Sequence, residues 1–240
     1  MIDSLILFCG GPPIYGGSPK PLQKLRTGQT LLERYLFHIK ARVPKDIVLL
    51  VDESFESDYR HVVNELNYPS SIRTLPCASN SSTFDKLQAF LKSDYPKDRI
   101  VMFSYPDIFV IGDIDGPTNI DESLSGNVFI SFTPVFSRFP RLVVDAYGRA
   151  VRGISNHTSP MPANPLHVFG GHLLVRVGLM ENLVETFLAE AGMTAPSLEF
   201  DMFFWLINTS RMLSMPIYGR WIQADSPREL EAILALTKQH

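Results

Sequence analysis

The chain has 240 residues, 45% of them hydrophobic and 20% charged, which suits one large domain with a substantial core and excludes a disordered or fibrous chain. Its net charge of −3 excludes a basic nucleic-acid or anionic-membrane surface as the main binding face. Cys9 and Cys77 are the two cysteines, too few for a disulfide framework or a metal cluster, and no apolar stretch approaches membrane-spanning length.

A first buried strand is predicted over residues 5–8, an apolar run with the length and branching of an inner strand. It stops at Cys9-Gly10-Gly11, and inert burial is the reading for the Cys9 thiol. Between Gly11 and Leu22 stand four prolines and two more glycines, a composition that fits neither helix nor inner strand. The stretch reads as an ordered loop at the carboxyl end of a strand, the place where open α/β sheets bind ligands. The bland alternative is a turn-rich linker. Glycines let backbone amides approach a phosphate closely, and Lys20 is the one cation inside the loop.

Thr30 can cap a helix from 31 to about 42, with Leu31, Leu32, Tyr35, Leu36 and Ile39 on one face. Residues 46–51 form a second strand, 55–66 a more polar helix and 72–75 a third strand. Asn80-Ser81-Ser82-Thr83 supplies caps for a helix ending near Leu91. This alternation implies a parallel, right-handed doubly wound sheet. A fourth strand over 99–104 runs into Tyr105-Pro106-Asp107 and a second apolar run at 108–111. Residues 127–144 read as strands, with a hairpin turn at 145–149, and 167–175 as a strand with a Gly170-Gly171 step. Helices are predicted over 179–191 and 198–209, then a late strand over 212–218. Residues 219–225 lead to a last helix whose capping box has Ser226 as cap, Pro227 first and Glu229 third. With no repeat or linker, residues 1–240 form a single domain. The fold class is α/β: a doubly wound, mixed, mainly parallel sheet flanked by helices.

Several polar residues stand out against this pattern. Asp107 follows a buried strand between two apolar runs, where it caps a turn or holds a divalent cation through hard oxygen ligands. Asp225 precedes the last helix, where an acid also simply favours the helix dipole. Lys20 is a solvated loop lysine or a phosphate contact. Residues 80–83 cap a helix or receive an anion at its amino terminus. His167 and His172 flank the two glycines and read as packing residues, as do Phe200, Phe203, Phe204 and Trp205. The glycine step itself is also what a β-bulge looks like.

The order strand, Gly10-Gly11, Pro19-Lys20-Pro21-Leu22, Gly28, Leu31-Leu32-Glu33 resembles the amino-terminal signature of the sugar-phosphate nucleotidyltransferases, or nucleotide-sugar pyrophosphorylases. The segment 100–107 and the tail 221–230 resemble that family too, and the likeness spans most of the chain, which would make it a divergent member. The family usually continues Gly-Gly-x-Gly-Thr-Arg, with the arginine on the triphosphate. Here Pro12-Pro13-Ile14-Tyr15 stands in its place, and the loop has no arginine.

The resemblance implies a nucleotide-diphospho-sugar-transferase-like fold with a nucleotide-binding half over about 1–115 and an acceptor-binding half over about 116–240. It implies an enzyme that joins an NTP to a phosphorylated small-molecule acceptor and releases pyrophosphate, with Mg²⁺ as cofactor. Lys20 and Asp107 would be catalytic, and Asp107 and Asp225 would hold the metal. In many members the second ligand is the acid two residues after the tryptophan, which is Gln223 here; Asp225 fits the later slot used by cholinephosphate-type cytidylyltransferases. Phe8, Gly10, Gly11, Asn80, Ser82 and Thr83 would contact the nucleotide. Gly171 and Glu199 would contact the acceptor. Arg26 or Arg73 would replace the missing loop arginine. No nucleic acid or membrane partner is implied, a homo-oligomer is open, and the absence of a signal core points to the cytoplasm.

Two other readings are compatible with the same residues. One is a catalytically weak regulatory protein of this fold that binds a nucleotide or nucleotide-sugar, favoured by the missing arginine and Gln223. The other is a GT-A-type glycosyltransferase, for which Asp113 and Asp115 make an Asp-x-Asp. Against it, Tyr105 stands where the motif's first aspartate belongs, and the Pro-Lys-Pro-Leu loop is foreign to that class.

Overall fold

The computed structural model of the chain describes residues 2–10, 17–39, 46–117, 120–134, 141–144, 150–154 and 167–236. Gly11 and the rest of the proline-rich stretch up to residue 16, the predicted end of the first helix, and the 145–149 turn lie outside them.

In the amino-terminal half, β1 (Ser4–Cys9), β2 (Asp46–Asp52), β3 (Ser71–Cys77) and β4 (Ile100–Ser104) alternate with α1 (Leu31–Ile39), α2 (Glu56–Glu65) and α3 (Thr83–Leu91). The predicted alternation is present. All six residues of β1 are buried, as an inner strand covered on both faces requires. Local caps agree with it. Thr30 and Glu33 cap α1 reciprocally, the Glu33 N–H donating to Thr30 Oγ1 at 3.1 Å. Ser82 caps α3, and Asp85 answers it in a full capping box.

The rest of the chain adds β5 (Ile108–Ile114), the short turn α4 (Ile120–Ser123), β6 (Val128–Pro134), β7 (Arg141–Val144), β8 (Ala150–Ile154), β9 (His167–Arg176), α5 (Val177–Ala191), α6 (Phe203–Asn208), β10 (Met212–Gln223) and α7 (Pro227–Leu236). The main strand order is β3-β2-β1-β4-β9-β6-β10-β5, with β7 paired to β8 and β9. β3, β2, β1, β4, β6 and β10 point one way, while β9 and β5 run against them. The sheet is therefore mixed and mainly parallel in strand direction.

Side chains alternate across β1. Ile6 and Phe8 pack with α3, α5 and α6 on one face. Leu5, Leu7 and Cys9 pack with α1, α2 and α7 on the other. Each fully buried aliphatic side chain of this kind contributes about 1.5–3 kcal/mol.

Two predicted elements differ. The late strand does not end near Tyr218; β10 runs on to Gln223, because β5 offers it an antiparallel partner from Ile217↔Ile114 to Gln223↔Ile108. Gly112 and Gly219 face each other in that ladder with φ of 139° and 142°, and a Cβ on either would fall within 2.2 Å of the other strand's carbonyl oxygen. Only glycines allow this approach. The helix expected over 198–209 opens instead as a π-helical turn, Leu198–Met202, and only then becomes α6.

Candidate active site

Three distant positions meet at the carboxyl edge of the parallel strands. Lys20 lies in a short 3₁₀ turn, Lys20–Leu22, held by the Leu22 N–H on the Pro19 carbonyl. Asp107 sits between β4 and β5. Asp225 sits between β10 and α7. The β5–β10 ladder ends at Ile108↔Gln223, so Asp107 and Ala224 lie side by side, with the Ala224 N–H on the Asp107 carbonyl at 2.8 Å. Lys20 Nζ donates to Asp107 Oδ2 at 2.8 Å and to Asp225 Oδ1 at 2.6 Å. All three side chains are largely shielded from water, at 9, 14 and 18% exposure.

The electrostatics follow from that shielding. Burial works against the Lys20 ammonium, but the Asp107 and Asp225 carboxylates outweigh it and hold its pKa above the usual lysine value. Burial pushes the Asp107 carboxyl above its usual range; Lys20 opposes the shift and Asp225 adds to it. The Gln223 amide donates to Asp225 Oδ1 at 3.3 Å, and Glu229 accepts the Asp225 N–H at 3.0 Å. Glu229 also holds Ser226 Oγ, so the capping box of α7 fixes Asp225 in place. In this arrangement Gln223 acts as a hydrogen-bond donor.

Gly171 serves this corner by packing. It has φ +90°, and a Cβ there would lie 2.3 Å from Ile108 Cδ1. The glycine thus makes room for the residue that follows Asp107. Gly170 is equally tight against Ile217 and Ser131, and the β6–β9 register shifts between Ile130 and Phe132. The β-bulge reading accounts for both glycines. Next to them His172 is buried, with Ser131 Oγ accepting its N–H and facing Nδ1, each at 3.0 Å. Burial pushes the His172 imidazole down to about 4, with the Gly170 carbonyl opposing.

The candidate nucleotide residues fall along the same edge. The Phe8 ring is buried against Phe103 and Tyr105, which leaves its backbone at the strand end as its outward part. Gly10 follows β1 directly. Asn80 adopts φ 61° and donates its N–H to Asp52 Oδ2 at 2.8 Å. Hydrogen bonds, first from Ser54, hold Asp52 down to about 2. Ser82 Oγ is engaged by its capping box, which already puts the Asp85 carboxylate at the helix start. Tyr105 donates its hydroxyl to Glu199. Burial, then the Glu199 carboxylate, holds its pKa well above the usual phenol value, while a bond to Thr83 opposes. Tyr105 thereby joins Thr83 to Glu199, one expected nucleotide contact to one expected acceptor contact.

Sequence reasoning missed Tyr105, Asp52 and Lys86. Lys86, on α3, donates Nζ to the Cys9 carbonyl at 3.2 Å. Its spacing from Cys9 carries no signal; only α3 packing under β1 brings them together. The proposed arginine substitutes have other partners. Arg26 is 81% exposed and paired with Glu231 at 2.8 Å. Arg73 lies over the Tyr95 ring in a cleft with Asp3, Ser4 and Asp46, at the amino-terminal ends of the strands. Asp113 pairs with Tyr218 near the far end of β5, about 20 Å along the strand from Asp107 at 3.3 Å per residue. That distance removes Asp113 and Asp115 from the cluster and with them the Asp-x-Asp of a glycosyltransferase.

No family model matches the chain, and neither does any curated protein. Solved structures do. HddC from Yersinia pseudotuberculosis superposes with a TM-score of 0.72 over 98% of this chain and 99% of that one, at 15% identity. Inositol-1-phosphate CTP transferase from T. maritima gives 0.69 over 99% and 97%, at 13% identity. A provisionally named glucose-1-phosphate thymidylyltransferase from Bacillus anthracis, in complex with a sucrose, gives 0.71 over 100% and 96%, at 14% identity. This chain has the nucleotidyltransferase fold. The expected fold class stands, across the whole length of both partners in each comparison. Among the described residues, no helix of this nucleotidyltransferase-like chain is long and apolar enough to cross a membrane.

Proposed function

We propose that the protein is a nucleotidyltransferase that joins an NTP to a phosphorylated small-molecule acceptor and releases pyrophosphate. The observation that carries this reading is the Lys20–Asp107–Asp225 cluster at the carboxyl edge of the sheet. Two carboxylates converge there on one ammonium, leaving a net charge of −1 among those three groups. Hard carboxylate oxygens in this number fit Mg²⁺, which takes one or two protein carboxylates and completes its shell with water and phosphate. Asp107 and Asp225 would hold the ion, which would neutralise phosphate charge during transfer.

The chain's own groups account for the rest. The acceptor phosphate oxygen attacks the α-phosphorus in line, the bond to the β-phosphate oxygen breaks, and pyrophosphate departs. Catalysis of this kind is positioning plus charge stabilisation. Lys20 orients both carboxylates and offers its remaining donor capacity to the transferred phosphoryl group. The Gly10 backbone, directly after β1, would face the nucleotide, with Asn80 and Thr83 at the neighbouring strand end. Tyr105 fixes Glu199 toward the acceptor side. The likeness to a CTP transferase and a thymidylyltransferase supports the class while leaving base and acceptor open.

The test is pyrophosphate release with Mg²⁺, crossing the four common NTPs with phosphorylated sugars and amino alcohols. Signal for one pair, lost in Asp107→Asn, is the expected result. Silence across the panel, with a nucleotide-sugar still raising the melting temperature, would replace this reading with a binding protein of the same fold.

A further inference from the structure

Two lysines approach the end of β1 from opposite faces of the sheet. Lys20 comes from the α1 side and is shared by two carboxylates. Lys86 comes from α3, on the other face, and is 6% exposed. Its ammonium has three donors. Among the described residues it makes one hydrogen bond, to the Cys9 carbonyl, and no ion pair. A shielded cation so poorly matched is costly unless an anion joins it.

Its direction points to the ligand. A Cβ built on Gly10 would lie 2.3 Å from Lys86 Nζ, so the ammonium fills the space that a side chain would take at the first residue after β1. A side chain at residue 10 would therefore displace the ammonium from this position. The ammonium reaches the strand end where the carboxylate cluster lies. Without a metal ion that cluster carries net negative charge, and with one its charge is a single positive unit against a polyphosphate of several negative ones. Lys86 adds positive charge there from the other face of the sheet.

We propose that Lys86 binds the phosphate chain of the nucleotide, on the β- and γ-phosphates that leave as pyrophosphate. This rests on the reading of the edge as an NTP site. It makes α3 the source of a second cation beside Lys20, where the β1 loop has no arginine.

The test compares wild type with Lys86→Met, Lys86→Gln and Lys86→Arg. Melting temperature is read with and without inorganic pyrophosphate and each NTP, alongside KM for the NTP and the acceptor. Lys86→Met should abolish the pyrophosphate-induced rise and raise the NTP KM at least about tenfold, the scale of one charge-assisted contact. The acceptor KM should stay within about twofold, and Lys86→Arg should restore part of the loss. Lys86→Gln, which keeps a polar tip of similar reach without the charge, should behave as Lys86→Met does, and it decides the matter if Lys86→Met fails to fold. A purely structural lysine would lower the unliganded melting temperature and leave the ligand-induced rise intact; that result overturns the role of Lys86 and spares the nucleotide site. A wild type unmoved by pyrophosphate and by every NTP overturns both.

Discussion

At the amino-terminal ends of the parallel strands, Arg99 pairs with Asp3 at 3.0 Å, Ser4 donates to Asp46 at 3.0 Å and Arg73 covers the Tyr95 ring. At the carboxyl ends, one lysine is divided between two carboxylates and another has a single carbonyl. Both edges carry charge. One edge has an ion pair, a hydroxyl contact and a ring contact, with the ion pair in reach of water. The other holds charges out of water and pairs them unevenly, two carboxylates on one ammonium and none on the other. Packing stability does not need the second arrangement, whereas a site for a charged ligand and a cation does.

Substitution separates the two edges. Asp107→Asn should cut turnover by about 10³-fold or more, the scale of losing one preorganised group at a reacting centre, while circular dichroism and melting stay near wild type. Retained activity would detach Asp107 from the chemistry. Lys20→Met should abolish turnover too, and it also leaves two shielded carboxylates facing each other. Its cost to stability is about 2–3 kcal/mol at neutral pH, below the fully buried case because both carboxylates keep some exposure. The sign is distinctive: without the lysine the folded pair binds a proton more readily than the unfolded chain, so the variant should regain stability as pH falls.

His172 gives the opposite slope. Unfolded, its imidazole takes a proton near 6.5; folded, only near about 4. Between those values unfolding takes up a proton, so stability falls as pH drops, by about 3 kcal/mol once pH is below 4. His172→Gln should flatten that part of the melting-temperature profile, and an unchanged slope would assign it to other groups. Gly171→Ala imposes a left-handed backbone on alanine and a clash with Ile108, for a loss of about 2 kcal/mol. Turnover should fall with it, since Ile108 seats Asp107. At the amino-terminal edge, Arg99→Ala should leave turnover unchanged and the melting temperature almost so. A large loss there would erase the contrast between the edges.

Much of the frame is legible in the sequence. Apolar runs such as 5–8 and 46–51 announce inner strands, and Thr30, Ser82 and Ser226 announce helix starts, because these signals are local. Lys20, Asp107 and Asp225 are visible as polar residues at strand and helix boundaries, although only the folded chain brings them to one point. The rest depends on contacts between distant segments. Whether 219–223 is strand or connection depends on β5 lying alongside. Lys86 looks like any helix lysine until α3 docks beneath β1. Arg73 is indistinguishable from a site residue until the strand's direction sends it to the other edge.

The Lys20 ammonium joins positions 87 and 205 residues away along the chain. Closing such a junction costs chain entropy, since segments that far apart must be brought together. Until α7 has docked, the lysine lacks its second carboxylate, and a chain emerging from the ribosome has no complete cluster to offer. Chemical competence is thus tied to finished assembly, and the ion triad doubles as a seal that only a fully folded molecule carries.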